Sequence, residues 1–83
     1  METEMVKKRY KYITIKLADT PLFPKEYSVY RVENNRSRDT LGFIEWHAAW
    51  HLWEFCPNGG TAFSSDCLED IQDFIGMLTN GKA

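Results

Sequence analysis

Cysteine is scarce in this 83-residue chain, with only Cys56 and Cys67 present. Two thiols are too few for the disulfide framework on which small secreted domains rely. No apolar run approaches the roughly 20 residues that a membrane-crossing helix needs. The opening METEMVKKRYKY lacks the apolar core of about 7–15 residues that an export signal requires. These absences predict a cytoplasmic chain with reduced cysteines and no membrane partner. Three prolines and five glycines are too few for a low-complexity or collagen-like chain. No glycine-rich phosphate loop or nucleotide motif occurs. Basic residues are nearly missing from the second half. Residues 1–40 hold nine basic and six acidic side chains, a net of +3, whereas residues 41–83 hold Lys82 against six acids, a net of −5. Such an asymmetry bears on partners and orientation rather than on fold.

What the chain does have is aromatic surface and period-two patterning. A chain of this length builds one small core, and aromatics at 14% supply large contact area per side chain. Residues 1–9 read as a polar lead-in, and residues 10–80 as a single α+β domain. In YKYITIKL, from Tyr10, the residues Ile13, Ile15 and Leu17 alternate with Tyr12, Thr14 and Lys16, the signature of a half-buried strand. ADTPLFPK interrupts it with two prolines, neither able to donate to a ladder. EYSVYRVE predicts a second strand, and NNRSRD a turn in which Asn34 and Asn35 suit the left-handed conformation. TLGFIEW and WHLWEFC predict strands three and four, closed by PNGGT. The period then changes. Cys67, Leu68, Ile71, Phe74, Ile75 and Leu78 form one helical stripe, capped by Ser64 or Ser65 and stopped by Asn80-Gly81. The expected architecture is β-β-β-β-α: a four-stranded, mostly antiparallel sheet with one C-terminal helix packed on one face.

One helix covers one face of such a sheet. The natural assignment places Ile13, Ile15, Leu17, Ile44, Trp46, Trp53 and Phe55 beneath it. The opposite face then carries Tyr12, Phe43, Trp50 and Leu52, with either Tyr27 and Val29 or Tyr30 and Val32. So apolar a face, if exposed, marks an interaction site. Alternatively, the sheet curls enough to hide it, with Leu22 and Phe23 as a lid. Asp66, Glu69, Asp70 and Asp73 form an acidic helix side that would steer a basic partner, or serve only as a solvated face.

Other chemistries are weaker. His47, His51, Cys56 and Cys67 are residue types that zinc accepts, but no C-x2-C or helical H-x3-H spacing organises them, so no metal or cofactor is expected. A Cys-His nucleophile pair lacks a third orienting group, so an enzyme is not expected. Lys7, Lys8, Arg9, Lys11 and Lys16, interleaved with tyrosines, suit a nucleic-acid backbone, although the chain as a whole is acidic.

The array Leu41-Gly42, Ile44, Trp46, Trp50, Phe55, Pro57, Thr61, Cys67-Leu68, Asp70-Ile71 and Phe74-Ile75, preceded by YSVYRV, resembles a group of small phage, prophage and mobile-element proteins. The resemblance covers roughly residues 27 to 76 and departs from the group pattern at His51 and Trp53. No general biochemical function belongs to that group. The resemblance implies a small protein that occupies a surface of a host complex, as anti-CRISPR proteins do, without catalysis. The expected function is therefore protein–protein binding that inhibits or modulates a host defence complex. Nucleic-acid binding through the basic N-terminal strand is the alternative, and a homodimeric structural protein the second.

Overall fold

Residues 5–18 and 28–82 are described by the structure, a computed structural model. Pro21, Leu22, Phe23, Pro24 and Tyr27, which figured in the expected loop, lid and second face, lie outside the described residues. The strands are β1 (Met5–Arg9), β2 (Ile13–Leu17), β3 (Tyr30–Asn34), β4 (Thr40–His47) and β5 (Leu52–Pro57), followed by helix α1 (Ser65–Thr79). They form one sheet in the order β1-β2-β3-β4-β5, every neighbouring pair antiparallel. The α+β architecture with a C-terminal helix is as the sequence predicts, but the sheet has five strands. The additional one is MVKKR, taken from the sequence as lead-in. Its polarity hides it, because an edge strand can carry lysines where a central one cannot.

β1 also contains a bulge. Val6 pairs with Lys16 and Lys8 pairs with Ile15, so Lys7 is the extra residue. Strict alternation would put Val6 and Lys8 on one face, and the bulge separates them. Lys8 thus joins the helix side while Val6 and Arg9 join the other. A second register shift, between Val32 and Glu33, places Glu33 opposite Thr40 and leaves Leu41 as the extra residue. Leu41 packs against the core from there.

The core lies between the sheet and α1. Ile13, Ile15, Tyr30, Val32, Ile44, Ile71, Phe74 and Leu78 are buried, and Leu17, Trp53, Phe55 and Phe63 pack around them. Tyr30 makes edge contacts with Phe74 at 5.3 Å and Trp53 at 5.8 Å, a geometry that gains energy beyond area burial. Tyr30 and Val32 therefore belong to the helix face. Gly42 is fixed by proximity: a Cβ there would meet Cys56 O at 2.6 Å and Pro57 Cα at 2.8 Å.

The helix ends follow their sequence signals. Ser64 is the N-cap and its hydroxyl accepts the Cys67 N–H at 3.2 Å. At the other end Gly81 has φ +71°, Gly81 N–H donates to Leu78 O, and Lys82 N–H donates to Met77 O. These two bonds satisfy carbonyls that the last turn leaves without partners. The β3–β4 turn differs from expectation. Asn34 stays in β3, and its Oδ1 accepts the Arg36 and Ser37 N–H groups at 2.8 and 3.0 Å. Arg38, rather than either asparagine, takes the left-handed conformation, with φ +68°.

Candidate functional site

The face of the sheet away from α1 is not the apolar surface that alternation predicts. Of the four aromatic and aliphatic candidates, only Phe43 and Leu52 are strand residues. Tyr12 lies in the β1–β2 turn and Trp50 in the β4–β5 turn. Because consecutive turns alternate between the two ends of the sheet, Tyr12 and Trp50 occupy diagonally opposite corners. The four residues do not form one patch. This open face, on which none of the described elements packs, instead carries Arg9, Arg31 and the buried Thr14, Lys16 and Glu33 on β1–β3, then Phe43, Glu45, Glu54 and Cys56 on β4–β5.

Two of the four candidates, Trp50 and Leu52, do lie close together in the chain at the β4–β5 hairpin. Trp50 is 66% exposed and Leu52 43% exposed. The Trp50 ring stacks on His47, with centroids 4.2 Å apart and planes 15° from parallel. The Trp50 N–H is shared between His47 O and His47 Nδ1, each at 3.2 Å. Leu52 is the cross-strand partner of the same histidine. On the helix side, Trp46 makes edge contacts with Trp53 at 5.6 Å and with His51 at 6.3 Å. His51 adopts φ +55°, a conformation uncommon for a residue with a side chain. The exposed indole is thus stacked on His47, and the Trp50 backbone is tied to the same residue.

The other half of the open face is an ion-pair cluster. Glu33 Oε2 accepts from Lys16 Nζ at 3.2 Å and lies 2.9 Å from an Arg31 guanidinium nitrogen, while Oε1 accepts from Arg38 Nε at 2.7 Å. Burial pushes the Glu33 carboxyl up, but the hydrogen bonds from Arg38, Lys16 and Arg31 outweigh it and hold it below the usual carboxylate range. Beside the cluster is a cavity of about 110 Å³, whose lining includes Arg9, Lys16, Arg38, Glu33 and Thr14. Thr14 donates its hydroxyl to Asn35 Oδ1. Asn35 Nδ2 in turn donates to Tyr10 O at 2.9 Å and Lys11 O at 3.3 Å, tying the β1–β2 turn to the β3–β4 turn.

Glu45 and Glu54 face each other across the β4–β5 ladder, an arrangement that like charges disfavour. Their carboxylates flank Cys56, whose Sγ lies 3.7 and 3.8 Å from them. Burial first, then both negative charges, push the Cys56 thiol up. Among the described residues these three are the group of potential metal ligands that converges. His47, His51, Cys56 and Cys67 do not converge.

The remaining candidates are distributed as follows. Asp73 leaves the free acidic face, since its Oδ2 accepts from Tyr10 Oη at 2.7 Å and from Lys8 Nζ at 3.1 Å. Those bonds lower the Asp73 carboxyl, the tyrosine contributing most, while burial and then Asp73 raise the Tyr10 phenol. Lys8 also lies 4.9 Å from the Tyr10 ring centre, so this trio fastens β1 to α1. Asp66 and Glu69 are exposed on α1 and Asp70 is half-buried. Of the five basic candidates, Lys8 faces the helix, Lys11 lies over Tyr12 in the turn, and Lys7 occupies the bulge. Only Arg9 and Lys16 meet, on the open face. Arg31, Glu33 and Arg38 were not singled out from the sequence. For Arg31 and Glu33 the signal was present in EYSVYRVE: placing Tyr30 and Val32 in the core puts them beside Lys16.

No protein-family model, curated protein or solved structure matches the chain. Among the described residues no helix is long and apolar enough to cross a membrane.

Proposed function

We propose that this chain is a non-enzymatic binding module that docks a protein partner through the β4–β5 hairpin, and that it inhibits or modulates a host complex in the manner of a phage-encoded anti-CRISPR protein. The observation that carries this reading is the pre-positioned Trp50, 66% exposed and clamped on His47. A large aromatic already immobilised loses little conformational freedom on binding, and tryptophan is the side chain most enriched among binding hot spots. Leu52 adds apolar area next to it. Glu45 and Glu54 on the adjoining sheet face, with Asp66 and Glu69 on α1, favour a partner with basic groups, whose association slows as salt rises.

Capture from a host lysate with wild type, Trp50→Ala and the Trp50→Ala/Leu52→Ala pair tests the reading. The specific partner recovered by wild type is expected to be lost from the pair. Removing a buried interface tryptophan costs about 2 kcal/mol or more, a thirtyfold loss of affinity. Recovery of identical partners by all three proteins would remove the hairpin from consideration. Light scattering of the free protein checks the competing use of the same residues. A dimer that dissociates in the Trp50 variant would make self-association their purpose.

A further inference from the structure

The cluster around Glu33 holds more cationic capacity than its carboxylate consumes. The Lys16 side chain is only 9% exposed. Its ammonium has three N–H donors, and among the described residues Glu33 is its single acceptor. Arg38 uses Nε alone on Glu33, and its other guanidinium nitrogens have no acceptor among the described residues. Arg9 has no acceptor at all among the described residues and lines the same cavity. Three cations therefore border a space of about 110 Å³, and Glu33, the one carboxylate of the described lining, is already bonded to Arg31 as well. Thr14, already linked to Asn35, forms part of the same lining.

We infer that this cavity on the open sheet face, bounded by Arg9, Lys16 and Arg38, is a binding site for a compact tetrahedral oxyanion of the phosphate type. A buried lysine with unused donors is costly unless something accepts from it. A phosphate oxygen would do so with charge assistance, which gives shorter and stronger bonds. The two arginines supply guanidinium groups from separate segments, Arg9 from β1 and Arg38 from the β3–β4 turn. The strained backbone at Arg38 fits this role, since unusual φ values gather at binding clamps. Shape also matters. The site is a depression rather than a track, which suits a terminal phosphate better than the internal phosphodiesters of a polynucleotide. This site lies at the far end of the sheet from the Trp50 hairpin and does not depend on the partner proposed there.

Titration of 15N-labelled protein at low ionic strength tests the assignment, with inorganic phosphate, a nucleoside monophosphate and a single-stranded oligonucleotide as three probes. Saturable shifts of the Thr14, Lys16 and Arg38 amides are expected with the first two. Arg9→Gln removes one charged donor without touching Glu33, so its melting temperature is expected to stay at the wild-type value. It should weaken phosphate binding about tenfold, from the loss of one charge-assisted hydrogen bond. Lys11→Gln makes the same change of net charge in the β1–β2 turn and should weaken binding less than twofold. The inference is overturned if phosphate and the monophosphate give no saturable shifts, or if Lys11→Gln weakens binding as much as Arg9→Gln. Binding of the oligonucleotide alone would equally overturn it, in favour of a backbone track.

Discussion

Replacing Glu33 by glutamine isolates the most buried ion pair among the described residues. Three cations bond this carboxylate, but they do not contribute equally. The Arg38 contact is the shortest at 2.7 Å, yet that side chain is 69% exposed. A solvent-screened pair of this kind is worth at most about 1 kcal/mol. Lys16, at 3.2 Å, is the partner that matters, because both side chains are more than nine-tenths buried. Breaking such a pair from one side leaves a buried charge uncompensated, which costs about 3–5 kcal/mol. Total stability for 83 residues is on the order of 4–12 kcal/mol at 0.05–0.15 kcal/mol per residue. The substitution therefore removes a large part of it. With an unfolding entropy of about 2.1 cal/mol/K per residue, each kcal/mol shifts the melting temperature by about 6 °C. Glu33→Gln is expected to lower it by about 18–30 °C, read by circular dichroism. The double variant Glu33→Leu/Lys16→Met fills the same space without charge and should recover most of the loss. A drop below about 3 °C for Glu33→Gln, or a double variant no better than the single one, would refute the claim that burial and not proximity sets the cost.

Four further outcomes are expected. Glu33 and Asp73 both have carboxyls held low in the folded protein, so the unfolded chain binds more protons in acid. Their stabilisation is present above the ordinary carboxylate range, about pH 4, and disappears as pH falls through their lowered folded values; urea midpoints measured from pH 6 to pH 2 should show this limb flattened in Glu33→Gln and Asp73→Asn. Cys56, with its thiol pushed up, should alkylate more slowly near pH 8 than a free thiol, and Glu54→Gln should speed it; peptide mass spectrometry separates it from Cys67, and equal rates would contradict the field assigned to the two glutamates. Gly42→Ala drives a methyl into the β5 backbone and should destabilise by about 1–3 kcal/mol in chemical denaturation. Trp50→Ala, by contrast, removes a mostly exposed ring and should change stability by no more than about 1 kcal/mol in the same assay.

The helix and the core face were legible because their apolar residues keep period across whole elements. Cys67 to Leu78 holds a helical stripe, and Ile13, Ile15, Ile44, Trp53 and Phe55 alternate without interruption. The open face was not, for two physical reasons. Period-two patterns in YKYITIKL and WHLWEFC continue past the ends of the strands, so Tyr12 and Trp50 look like sheet residues although the chain has already turned. Bulges at Lys7 and Leu41 then shift the phase of alternation within β1 and β4, which no count of twos anticipates. Polarity concealed β1 as well: MVKKR pairs with β2, and the lysine it turns toward the helix, Lys8, meets Asp73 and Tyr10 there. The Glu33 cluster assembles side chains from four separate segments, and only strand register brings them together.

Because each strand lies beside its neighbour in the chain, every ladder can close before a distant segment arrives. Loop-closure entropy is then met in small instalments, and folding speed falls as contacts become less local. The β3–β4–β5 unit, with connections of five and four residues, is the natural place for order to begin. The longer β2–β3 connection sets the slower step, so lengthening it should retard folding while leaving the unfolding rate nearly untouched.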